Sequence, residues 1–223
     1  MNAIPERYTL AAKQLATFSH LLYQKGFADA NGGNLSVKTD EDIIITTPTL
    51  ESKGSLEYGD MVITDINGKH LYGLKSASSE LFSHLAVYRT NPKARAVIHS
   101  HPPYVCSYAY TKSTPLIETS PETLIWTGEI CDIPFIMPGS PELAKKMEKE
   151  CINRQVILLR NHGLITWGEN LRDAWWRTEV FEHHCKICHL ISTRGDIPVK
   201  LDEEGIKRLI KLRDDLLKKK HNG

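Results

Sequence analysis

The chain has no apolar run approaching the ~18 residues that span a bilayer, and Met1 to Arg7 carry nothing like the apolar segment that opens a secretory leader. It has almost no net charge: 28 lysines and arginines against 27 acidic residues leave +1, too weak a field to gather nucleic acid or an anionic membrane. Cysteine is sparse and odd in number, five thiols at 106, 131, 151, 185 and 188. That rules against a disulfide framework in a chain long enough to bury its own core. Internal repeats and low-complexity linkers are missing too. These absences point to a cytoplasmic protein, a single domain over 1–223, with neither nucleic acid nor membrane as partner. Any anionic ligand must be caught by a local site.

What is present mixes helix and strand signals without a strict repeat. Ala11, Leu15, Phe18 and Leu22 fall at helical spacing and Gly26 follows as a stop, predicting an amphipathic helix over 6–25. Asn31-Gly32-Gly33-Asn34 reads as a loop running straight into a strand at Leu35-Ser36-Val37, a place where bare amides can meet a ligand. The β-branched runs 43–47 and 61–66 predict strands, and Asn67-Gly68 turns the second into a hairpin with 69–72. Ser78 or Ser79 can cap a helix that carries Leu81, Leu85 and Tyr88 on one stripe and ends near Asn91-Pro92. Residues 96–101 read as a strand stopped by Pro102-Pro103.

After a less readable middle, Ser140-Pro141-Glu142 opens a helix to about Cys151. The runs 156–159 and 164–167 flank the corner Asn161-His162-Gly163 as a strand pair. A long helix runs from Asn170 to about Thr193, ended by Gly195. A last one begins at Asp202 with Ile206, Leu209, Ile210 and Leu217 facing inward. Lys218-Lys219-Lys220 reads as a frayed, solvated helix end. The expected fold class is α/β: a three-layer α/β/α domain around a largely antiparallel central sheet.

His99-Ser100-His101 puts two imidazoles two residues apart in a strand, so both leave one face and can converge on one ion. A catalytic zinc needs a third protein ligand and an open position. His162, on a corner between apolar strands, is where a rigid scaffold can present that ligand. His-x-His alone reads equally as a surface pair; the Asn-His-Gly corner and the proline stop favour a ligand. Ser78-Ser79-Glu80 offers two hydroxyls and the first amides of a helix to a phosphate. Glu80 beside it can serve as general base, although the triplet alone is more often a capping box with a solvated glutamate.

The cluster His183-His184-Cys185-Lys186-Ile187-Cys188-His189 is richer in ligand types. A structural zinc wants two pairs from separate segments, and no second Cys-x-x-Cys exists. Ala174, Thr178, Phe181, Cys185 and Cys188 read instead as the inward stripe of the long helix. Trp175-Trp176 read as core or subunit contacts, and Arg160 as either a surface charge or a group that steers an anion.

Taken in order, Asn31-Gly32-Gly33-Asn34-Leu35-Ser36, Thr47-Pro48-Thr49, Ser78-Ser79-Glu80, His99-Ser100-His101 and Asn161-His162-Gly163 resemble, over nearly the whole chain, the class II aldolase/adducin-like family of sugar-phosphate aldolases, epimerases and dehydratases. The resemblance implies zinc held by His99, His101 and His162, with Mn2+, Co2+ or Fe2+ as alternatives. It further implies phosphate contacts from Asn34, Ser78 and Ser79, and an acid/base role for Glu80 in cleaving a small ketose phosphate through a metal-stabilised enediolate. A homotetramer with sites at subunit boundaries follows from the same resemblance.

The chain also departs from the family pattern. Leu50 stands where the aldolases carry a phosphate-binding glycine. All eight tyrosines lie at or before Tyr110, so neither the aldolases' tyrosine from a neighbouring subunit nor the epimerases' C-terminal one has a counterpart. Glu122, in Ser120-Pro121-Glu122, stands near the dehydratases' acid/base glutamate and becomes a second catalytic candidate. These departures keep dehydratase, 4-epimerase and decarboxylase readings open beside the aldolase. A non-catalytic scaffold of the adducin kind is disfavoured by the three histidines and Glu80.

Overall fold

The computed structural model describes residues 3–219, with side chains to 216. The side chains of Leu217, from the expected last stripe, and of Lys218 and Lys219, and the whole of Lys220, lie outside what is described. The strands are β1 (Asn34–Lys38), β2 (Ile43–Thr46), β3 (Val62–Asp65), β4 (His70–Tyr72), β5 (Ala96–Ser100), β6 (Ile130–Ile133), β7 (Val156–Leu159) and β8 (Gly163–Gly168). They form one sheet in the order β4-β3-β2-β1-β5-β8-β7-β6. Every neighbouring pair is antiparallel except β6 with β7.

The sheet is covered on both faces because its central strands are apolar on both. Along β5, Val97 meets one core with α2 (Leu81–Thr90) and α5 (Pro141–Glu150). Its neighbours Ala96 and Ile98 meet the other, with α1 (Thr9–Gln24) and α6 (Leu171–Arg194), as the two-residue period of a strand requires. A third cluster seats Val105 and Ala109 of α3 (Pro103–Ala109) and Phe181 and Cys185 of α6 on Val156, Leu158 and Leu164. The result is the expected three-layer arrangement. Among the described residues no helix is long and apolar enough to cross a membrane.

Local chemistry sets most boundaries. Ser140 Oγ accepts from the Leu143 amide at 3.1 Å with Pro141 in the first turn, and Asn170 Oδ1 accepts from the Asp173 amide at 2.9 Å, so α5 and α6 start where cap residues stand. Gly195, at φ 72°, closes α6.

The less readable middle holds α3, α4 (Pro121–Thr127) and β6, and β6–α5–β7 is a crossover unit that makes the parallel pair. Three expectations are corrected. Neither Ser78 nor Ser79 is the cap of α2: Glu80 occupies that position, and Ser78 Oγ accepts from the Glu80 amide at 3.3 Å. Strand β5 ends at Ser100, so His101 leaves the ladder and its amide donates to the Phe27 carbonyl at 2.8 Å. In α7 (Glu203–Lys219), Ile206 and Leu209 are half-buried but Ile210 is 45% exposed, because the helix rests on α4 rather than on the sheet.

Candidate functional site

Three histidines from two parts of the chain meet where β5 and β8 run side by side, His99 opposite Ile165. His99 is wholly buried, and its Nδ1 lies 3.0 Å from the Leu164 carbonyl. His101 Nδ1 lies 2.7 Å from the Asp29 carboxylate. A carbonyl or carboxylate can only accept, so both Nδ1 atoms carry the proton and both Nε2 atoms present lone pairs. His162 stands on the turn from β7 to β8, where Asn161 takes φ 57° and its amide donates to the Ala109 carbonyl at 3.0 Å. The ring centroids lie 4.6–5.4 Å apart.

The donor set fits a divalent metal. One nitrogen from each ring lies within 4.8 Å of the other two, and the His99 and His101 Nε2 atoms are 3.1 Å apart. Nitrogens on a tetrahedral zinc at about 2.0–2.1 Å stand roughly 3.3 Å from each other. Two lone pairs that close repel unless a proton or a cation lies between them. Each of these two rings is also anchored through its other nitrogen, the usual outer support of a histidine ligand. Glycines make the approach possible: a Cβ on Gly163 would stand 2.6 Å from both His101 Cδ2 and the Ser100 carbonyl, and one on Gly32 would stand 3.0 Å from His101 Nδ1.

Glu80 lies across from the rings, its carboxylate 3.4 Å from His99 Nε2 and 3.5 Å from His162 Nε2. Burial opposes its ionisation, but the field and hydrogen bond of His99, with His162 and His84 behind, outweigh burial and hold the carboxyl at about 2. His162 is pushed down to about 4, first by burial and then by His99. Burial also lowers His101, with the field of His99 acting in the same direction. Asp29 is held below the usual carboxylate range by its hydrogen bond to His101. Beneath the site His84 is fully buried, its Nδ1 2.7 Å from Ser36 Oγ, which in turn lies 2.7 Å from the Tyr88 hydroxyl.

Strand register ties a second pocket to this cluster, since Asn34 is paired directly with His99. The pocket, about 170 Å3, is lined by Asn31 to Asn34, Pro48 to Leu50, Lys53 and Ser78 to Glu80. It therefore brings Asn34, Ser78 and Ser79 together, and Asn34 Nδ2 donates to Glu80 Oε1 at 3.5 Å. Leu50 takes φ 58°, a left-handed conformation that glycine favours, with its side chain 79% exposed. The turn thus survives the loss of glycine. Asn34 Oδ1, Glu80 Oε2 and His162 Nδ1 are buried without hydrogen-bond partners, so unsatisfied polar atoms gather around both halves of the site.

Other candidates fall elsewhere. Glu122 is exposed in the first turn of α4 and lines a groove of about 950 Å3 with Tyr104, Glu182 and His183 but none of the three clustered histidines. In the rival cluster Cys185 is buried in the core, and His184 Nε2 lies 3.1 Å from the Leu116 carbonyl and 3.4 Å from Cys188 Sγ. Among the described residues the only group of three metal-type ligands that converges is His99, His101 and His162. Trp175 is core, whereas Trp176 stacks edge-on against Trp126 at 5.1 Å. Arg160 is engaged by Asp132 at 2.7 Å and by the carbonyls of Tyr108, Thr111 and Ser113, so it ties a loop down. Sequence reasoning missed Asp29 and Lys53. Neither belongs to a periodic pattern, and the nearest signal was their nearness to the glycine-rich loop and the Thr-Pro-Thr turn.

An eight-stranded sheet thus presents three convergent imidazoles that could hold a metal ion, a carboxylate beside them and an adjoining polar cradle. The chain belongs to the class II aldolase and adducin N-terminal domain family, whose model matches residues 13–189. It is 34% identical over 182 residues to the L-fuculose phosphate aldolase of Methanococcus vannielii, covering 80% of this chain and 96% of that protein. It is 31% identical over 183 residues to the 3-oxo-tetronate 4-phosphate decarboxylase of Haemophilus influenzae, covering 80% and 87%. A solved L-fuculose 1-phosphate aldolase superposes with a TM-score of 0.83 at 27% identity, over 94% of this chain and 97% of the other. YgbL of Escherichia coli shares the fold, with a TM-score of 0.86 at 24% identity over 92% and 100%.

Proposed function

We propose that the protein is a divalent-metal lyase, zinc-dependent by its all-nitrogen donor set, that cleaves a carbon–carbon bond in a small phosphorylated sugar. The observation that carries this reading is the convergence of His99, His101 and His162 with the Glu80 carboxylate 3.4–3.5 Å from two of them. His99, His101 and His162 would hold the metal, which when bound supplies a positive charge that stabilises negative charge developing on substrate oxygen. Asn34, Ser78 and Ser79 would hold the phosphate one strand away and so fix the reacting carbons beside Glu80.

In the aldolase reaction Glu80 takes the proton of the hydroxyl beyond the scissile bond. The bond breaks to leave an aldehyde, and its electron pair stays on the carbon next to the carbonyl. Glu80 then returns the proton to that carbon. A second reading, decarboxylation of a 3-oxo sugar-acid phosphate, is favoured by the likeness to the Haemophilus influenzae decarboxylase. It leaves electrons on the same carbon but releases carbon dioxide. Glu122 reaches this site only if a neighbouring subunit brings it. We place the sites at the boundaries of a homotetramer, which light scattering would read as four times the 25.2 kDa chain.

The test is metal analysis together with product identification from a panel of ketose phosphates and 3-oxo sugar-acid phosphates. Aldehyde release supports the aldolase, carbon dioxide the decarboxylase. Stoichiometric metal retained by a folded variant carrying both His99→Ala and His101→Ala refutes the site.

A further inference from the structure

We propose that Lys53 is the cation of the substrate's anion pocket: its ammonium, held by the Asn31 and Glu51 carbonyls, turns its remaining N–H to the phosphate group. The inference deepens the functional reading above and rests on it for the identity of the pocket. Lys53 is 1% exposed and heads the largest fully buried side chains of the protein. Lysine is almost never buried so completely without a counter-ion, because desolvating an ammonium costs several kcal/mol. Yet its Nζ donates only to neutral carbonyls, Asn31 O at 2.9 Å and Glu51 O at 2.5 Å, and it makes no ion pair among the described residues. An ammonium has three donors, so one is left over.

The surrounding acids are engaged elsewhere. The Glu51 carboxylate is taken by Lys75 at 2.7 Å, and Lys75 also holds Asp60 at 2.9 Å. Asp29 is bound to His101, and Glu80 faces His99 and His162. Among the described residues, Lys53 is the one cation lining the pocket of Asn34, Ser78 and Ser79. Burial lowers it to about 8, with Glu51 acting weakly in the opposite direction. A buried charge without a counter-ion, beside hydroxyls and glycine amides, is a site whose electrostatics an anion completes. The local chain serves this placement: a Cβ on Gly54 would stand 2.7–2.9 Å from the Tyr23 ring, so a side chain there would have to push that ring aside.

A purely structural Lys53 would clamp the loop 31–34 to the turn at 49–53 and do nothing else, and the experiment separates the two roles. Binding of inorganic phosphate is measured by calorimetry on the protein with its metal, for wild type, Lys53→Met and Lys53→Ala. The expected result is phosphate binding weakened on the order of tenfold or more in Lys53→Met with metal content unchanged, and recovered in Lys53→Ala by added propylammonium. At pH 8.5 wild type should also take up a proton as phosphate binds, seen as a dependence of the heat on the buffer, because the anion restores the charge that burial had partly removed. Unchanged phosphate affinity in a folded Lys53→Met overturns the proposal. If both variants fail to fold, the absence of proton uptake by wild type overturns it. Protein that binds phosphate through Lys53 but cleaves no member of the substrate panel refutes the lyase reading and leaves this inference standing.

Discussion

At the scale of single residues the site depends on a few side chains with no freedom to be anything else. Among the described residues, Glu80 is the one carboxylate that pairs with both the buried His99 and His162. Glu80→Gln keeps the shape and the Asn34 contact but removes the proposed proton carrier. Turnover should fall about 10²–10⁴-fold with metal content unchanged, a result that kcat and metal analysis on the same sample would check. Gly163 has no space for a methyl group against the Ser100 carbonyl, which is backbone and cannot yield. Gly163→Ala should therefore displace His101 and weaken metal binding on the order of 10–100-fold. Titration against a chelating dye reads this directly, and wild-type affinity would show that His101 is no ligand. The His-x-His pattern marked the pair, but His101 lies past the end of β5 and meets His99 through the bend its amide makes to the Phe27 carbonyl rather than through a strand's period of two; His162 was marked by its glycine corner. Asp29 was not legible: its role exists only once the chain has folded His101 back over residues 27–32.

At the scale of elements, caps and turns decided more than propensity. Asn170 begins the 24-residue α6, which carries Phe181 and Cys185 into the core. Replacing it with alanine frees the Asp173 amide and should cost about 1 kcal/mol, measurable as a lower midpoint in urea with an unchanged slope. The hairpin at Asn67-Gly68, the strand pair around Asn161-His162-Gly163 and the start of α5 were all written in turn or cap residues. Strand β6 was not. Its four residues, Ile130-Cys131-Asp132-Ile133, are too short to show a period, and its place beside β7 is set by the crossover through α5. The start of α2 was misread for a related reason: Ser78 bonds the Glu80 amide locally, which looks like a cap in sequence but leaves Glu80 at the boundary and aimed at the histidines.

At the scale of the whole molecule the fold binds its stability to the neutrality of buried histidine. His84 is fully buried, and burial, reinforced by His99 and only partly offset by Glu80, lowers it from 6.5 to about 3. The unfolded chain binds that proton at higher pH than the folded one. The stabilisation is therefore complete above about pH 6.5 and drains away as pH falls toward 3. Thermal midpoints should drop between pH 7 and 5, and His84→Gln should flatten that slope; a wild-type midpoint constant over this range would refute the assignment. The sequence by itself determined the layered α/β class, the starts of α5 and α6 and the Asn67-Gly68 hairpin, and three histidines with Ser78, Ser79 and Glu80 as candidate parts, since period, cap and turn chemistry are local. Only the tertiary structure decided that these parts meet, that Glu122 faces another groove, and that Lys53 is buried beside the pocket of Asn34, Ser78 and Ser79. Convergence of residues dozens of positions apart depends on strand order and register, which no local pattern encodes.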